Sequence, residues 1–128
     1  MRAAEATPLQ PSSGSSKPAS DRSACQTYVR AVLALYLRTP GVFGRVRRAD
    51  RQLAHRLFEQ QVPLYAVENA FIVGAARRAR NNAFSTPLPP IRSLHYFTAL
   101  FREMLERPLG YRDIDELRRD LGIGPLPL

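Results

Sequence analysis

The run Gln52 to Arg80, QLAHRLFEQQVPLYAVENAFIVGAARRAR, decides the fold. Leu53, Ala54, Leu57 and Phe58 recur at three- and four-residue steps. Leu64, Val67, Phe71, Ile72 and Ala75 do the same, so each set lines one side of a helix. Val62-Pro63 separates them, because proline disfavours helix in its predecessor yet is acceptable at the first position of a new helix, where its missing N–H would be unpaired anyway. Asp50 is the expected N-cap of the first member of this pair, which should end near Gln61. The second should run from Pro63 to Arg80, with Arg77, Arg78 and Arg80 in a last turn where cations suit the helix dipole.

Upstream, Cys25, Tyr28, Val29, Val32, Leu33 and Tyr36 predict another helix, with candidate caps between Ser20 and Ser23 and a stop at Thr39-Pro40-Gly41. Leu35 and Leu37 widen its apolar face, which marks it as central or as a subunit contact. Val42 to Ala49 is a short connection. Downstream, Asn81 to Arg92, with Pro87, Pro89 and Pro90, reads as a stiff loop. Ser93 then caps a helix carrying Leu94, Phe97, Leu100, Phe101, Met104 and Leu105. Asp113 and Glu116 give a capping-box start to a short last helix through Leu121, closed by Gly122. No segment alternates at period two. The expectation is an all-α bundle of about five helices over residues 21–128. Residues 1–20, rich in serine and proline, should form a disordered tail.

The chain has 128 residues and a formal net charge of +8. Residues 22–56 carry +7 and residues 77–102 carry +5, while the rest is neutral or mildly acidic. Such clusters point to polyanions. Of the 19 basic residues only Lys17 is lysine. Guanidinium groups bind phosphate bidentately and stack on bases, although a GC-rich coding bias yields the same ratio. A single cysteine, Cys25, excludes a disulfide scaffold and a zinc finger, and a reducing cytoplasm is the expected location. The longest apolar-rich run, Tyr28 to Leu37, contains Arg30 and is shorter than the ~20 residues of a membrane span. The first twenty residues hold no apolar stretch suited to a secretory signal.

Chemistry-bearing residues are sparse. His55 and His95 have no cysteine or acidic pair at ligand spacing, so no metal is expected. Ser93 and His95, two apart on a helix, should not face each other. Asp113, Asp115 and Glu116 read as caps and dipole partners, and no glycine loop suits a nucleotide. Neither an enzyme nor a cofactor is expected.

The pair around Val62-Pro63 has the outline of a helix-turn-helix, but Pro63, Leu64, Tyr65 and Ala66 would be poor readers of base edges. Phosphate contact is the better expectation, through Arg45, Arg47, Arg48, Arg51, Arg77, Arg78, Arg80 and Arg92. From Leu53 to Leu105 the chain also resembles the C-terminal helical domain of DnaD-type replication-initiation proteins, the bacterial and phage helicase loaders. The resemblance rests on the helix pair and on IRSLHYFTALFREML, where Ser93, Tyr96 and Phe97 take the places of the tyrosine-isoleucine-type signature. Gln61 stands where that family has a glycine, and the family's tryptophan is absent. The resemblance implies contact with DNA and with a partner in plasmid, phage or transposable-element replication, Arg77, Arg78 and Arg80 matching the family's basic stretch.

The leading expectation is therefore a small basic DNA-binding accessory protein of a replication system or mobile element. The alternative is a non-enzymatic protein-protein adaptor or oligomerisation module, such as a homodimer, using Tyr28, Leu35, Tyr36 and Leu37, whose apolar surface exceeds what one side of a small core needs. A helix lying on an anionic membrane surface is a weaker third reading.

Overall fold

The computed structural model describes residues 19–84 and 88–122. The tail expected over residues 1–20 falls almost wholly outside them, as does Pro87. Five α-helices follow in order: α1 (Ala19–Arg38), α2 (Arg48–Glu59), α3 (Leu64–Phe84), α4 (Thr98–Glu106) and α5 (Tyr111–Leu121). One 3-10 turn, Leu94–Phe97, leads into α4. Among the described residues there is no strand, only a single parallel bridge between Val42 and Ile91. The all-α bundle expected from the apolar spacing is the fold.

Helix α3 is the axis. Val67, Ala70, Phe71, Ile72 and Val73 are buried along it, and α1, α4 and α5 pack against it. Helix α2 packs on α1 and on the 3-10 turn, so the helices flanking Pro63 do not form a closely packed pair of their own. Phe71 sits at the centre of an aromatic cluster, its ring centroid 4.9 Å from Phe97, 5.9 Å from Phe101 and 6.3 Å from Tyr36. These are edge or tilted contacts, the geometry that ring quadrupoles favour. Gly74 lets α4 approach: a Cβ there would lie 2.7 Å from the Phe97 ring and 2.9 Å from Leu100.

Several element boundaries differ from the sequence reading, each for a local reason. Helix α1 already includes Ser20 and Ser23, which are therefore not its caps. It ends where expected, with the Thr39 hydroxyl donating to the Leu35 carbonyl at 2.9 Å. Helix α2 begins at Arg48 with Arg47 as N-cap, three residues before the expected cap. Asp50 is the third helical residue and its carboxylate reaches back to accept the Arg47 N–H at 2.9 Å. Helix α3 continues past Arg80 to Phe84, so its arginines are not in the last turn. Ser93 is a cap, its Oγ accepting the His95 N–H at 3.1 Å, but the first turn it opens is 3-10 rather than α. Helix α5 starts at Tyr111 after Gly110, which leaves Asp113 in its first turn instead of at the cap, and Gly122 closes it at φ 71.

Candidate nucleic-acid interface

The connection between α1 and α2 is held by a short tie to the segment before the 3-10 turn. Ile91 N–H donates to the Gly41 carbonyl and Phe43 N–H to the Ile91 carbonyl, both at 2.8 Å. Gly41 takes φ 95, a conformation open to glycine, and a Cβ there would press on the Arg78 side chain at 2.8 Å. A second tie lies one turn further on. The carboxylate of Asp50, only 1% exposed, accepts the Leu94 N–H at 2.9 Å with its other oxygen.

These two ties bring distant arginines together. Arg45, Arg47, Arg48 and Arg51, all exposed, lie on the connection and the first turn of α2. Arg92, also exposed, stands directly after the bridged Ile91, its guanidinium carbon 5.6 Å from the centroid of the Phe43 ring. The acid interleaved with them, Asp50, faces inward, its two oxygens each accepting a backbone N–H. Arg56 reaches the same neighbourhood, its Nη2 lying 3.4 Å from His95 Nε2.

The remaining expected phosphate contacts fare differently. Arg78 is 7% exposed and is not a surface cation: its guanidinium donates to the carbonyls of Leu88 at 3.0 Å and of Pro89, fastening the proline loop to α3. Arg77 is exposed but forms a two-pronged pair with Glu103 of α4, at 3.1 and 2.6 Å. That guanidinium holds the Glu103 carboxyl below the usual carboxylate range, chiefly by hydrogen bonding. Arg80 is exposed on α3. Of the three arginines of α3, Arg77 and Arg78 are thus engaged within the fold, while Arg92 lies against the α1–α2 connection that carries the other arginine run.

The apolar set expected to meet a partner is also mostly internal. Leu35 is 3% and Tyr36 1% exposed; both belong to the core, because α1 is covered on two sides by α2 and α3. Tyr28 is half-buried, packs edge-on to Phe58 at 5.4 Å and donates its hydroxyl to the Val62 carbonyl at 2.7 Å. Leu37 alone of the four is exposed. Phe43, to which the sequence reading gave no role, is exposed, as is Tyr96 of the resemblance. The signal available was an aromatic between two glycines, Gly41 and Gly44, inside an arginine-rich connection.

Two further side-chain pairs emerge. Cys25 Sγ lies 3.4 Å from His55 Nδ1. Ser93 Oγ lies 3.4 Å from His95 Nδ1, closer than the helical argument allowed, because Ser93 is a cap outside the helix. That hydroxyl is already engaged by the His95 N–H, which accounts for its position. No protein-family model, curated protein or solved structure matches the chain. Among the described residues, no helix is long and apolar enough to cross a membrane.

Proposed function

We propose that the chain is a small, non-enzymatic DNA-binding accessory protein that grips the phosphate backbone through Arg45, Arg47, Arg48, Arg51 and Arg92. One observation carries the reading: the tie of Gly41 and Phe43 to Ile91 sets Arg92 against the α1–α2 connection, the segment that leads into Arg45, Arg47, Arg48 and Arg51, with the interleaved Asp50 turned inward. Clustered exposed guanidinium groups release condensed counterions on binding, which gives affinity with little selectivity. A role in a replication system or mobile element, with a partner protein of that system, follows from the DnaD-like resemblance. Gln61 supports it at the turn: it takes φ 60, the left-handed conformation that suits the glycine of that family.

The test is a titration of duplex and of single-stranded DNA at several salt concentrations. Log affinity should fall linearly with log salt. In the triple variant R45A/R48A/R51A the slope should be shallower by about 2 to 3, at roughly 0.9 for each phosphate no longer neutralised. R77A should leave the slope unchanged, since Glu103 already neutralises that group. Absence of binding at low salt would reject the reading.

A further inference from the structure

We infer that Phe43 is a stacking platform for an unpaired base, so that the preferred ligand of the arginine face is a single-stranded segment of nucleic acid. The inference rests on the phosphate-binding reading above and specifies the kind of strand that face takes.

Phe43 is 65% exposed, whereas Phe71, Phe97 and Phe101 are buried and Phe58 is half-buried. Its exposure is built into the backbone. Gly41 at φ 95 and Gly44 at φ 100 bracket it, its own N–H is bonded to Ile91, and its neighbour Val42 packs against the core. A residue held by its own N–H and by its preceding neighbour presents its ring in a restricted region, which lowers the ordering cost of binding. Arg92 lies over the ring at 5.6 Å, and solvent still reaches most of the side chain. An aromatic ring beside a guanidinium, among exposed cations, is the combination by which sequence-tolerant proteins hold single strands: the ring stacks on a base while the cations follow the phosphates. Within a duplex the paired and stacked bases offer that ring no free face.

The decisive probe is a strand with phosphates but no bases. Binding of the full chain at low salt is compared for labelled oligo-dA, an abasic strand of equal length, a duplex of equal length, and oligo-rA. Wild type should bind oligo-dA roughly 5- to 100-fold more tightly than the abasic strand. F43A should bring oligo-dA down to the abasic affinity and leave the abasic strand and the duplex within about twofold, and F43W should keep the preference. The same loss for oligo-rA would show the same stacking with an RNA source. Because the side chain is exposed, F43A should unfold at the wild-type urea midpoint. Equal wild-type affinity for oligo-dA and the abasic strand, or an equal loss on every ligand in F43A, would overturn the stacking role while leaving phosphate binding standing. A dimer in sedimentation that F43A abolishes would assign the ring to self-association and overturn it too. No binding to any of the four would remove both readings.

Discussion

The Asp50 carboxylate accepts the backbone N–H of Leu94 across 44 residues of sequence, at 2.9 Å and out of contact with solvent. Its other oxygen takes the Arg47 N–H, so one side chain joins the start of α2 to the start of the 3-10 turn. D50A leaves both N–H groups without their acceptor and should cost about 2 to 4 kcal/mol. D50N keeps one acceptor oxygen but turns an NH2 toward the second N–H, and should cost about 1 to 3 kcal/mol. Urea unfolding of the two variants measures both. A D50A midpoint equal to wild type would contradict the joint.

Arg78 and Arg77 are neighbours in sequence with opposite expected effects. R78A loses two carbonyl hydrogen bonds and the packing of the aliphatic stem near Gly41, and should cost about 2 to 3 kcal/mol. R77A breaks an exposed pair and should cost less than about 1 kcal/mol. Thermal melts of the two single variants provide the comparison, and equal losses would count against it.

Glu68 of α3 and Arg118 of α5 form a largely buried ion pair, with Asp115 at 3.8 Å on the far side of the guanidinium. E68Q or R118M strands one buried charge and should destabilise by about 3 to 5 kcal/mol. The double replacement E68L/R118M removes both charges and should recover most of that loss. A double-mutant cycle in urea reports the coupling; strictly additive single losses would show that the pair does not act as a unit.

Gln61 holds φ 60 between α2 and α3. Glycine adopts that conformation without the steric cost a side chain incurs, so Q61G should stabilise by about 0.5 to 1 kcal/mol, net of the extra freedom it gives the unfolded chain. A lower urea midpoint in Q61G would show that the Gln61 side chain contributes more than its backbone costs.

Burial raises the Tyr28 phenol to about 12, and burial together with Asp50 raises Tyr36 to about 12 against the opposing pull of Arg47. Below pH ~10 neither group titrates in either state. Between about pH 10 and 12 the unfolded chain releases these protons while the folded chain keeps them, so stability must fall as pH rises through that window. Y28F removes one contribution, and its urea midpoint should decline less steeply than that of wild type between pH ~10 and ~12.

Helix content was legible because it depends on local spacing. Leu53, Ala54 and Leu57, or Val67, Phe71 and Ile72, declare a buried side whatever they pack against. Boundaries were less legible where a side chain had two uses. Asp50 reads as a cap from its neighbours, and only its second partner, Leu94, explains why it lies inside the helix and out of solvent. The charge pattern showed two arginine-rich runs but not their fates, since a run is local and its counter-groups are not.

The sequence by itself determined an all-α chain, the positions of its breaks at Pro40 and Pro63, and a surplus of arginine concentrated before α2 and after the middle of α3. Tertiary structure decided which arginines remain available. Arg78 found the carbonyls of Leu88 and Pro89, Arg77 found Glu103, and the Ile91 tie carried Arg92 to Phe43. The physical reason is that a guanidinium's partner is chosen by distance in space, and the distances at issue span 10 to 50 residues of chain. Net charge is a property of composition; a binding face is a property of which charges the fold leaves unpaired.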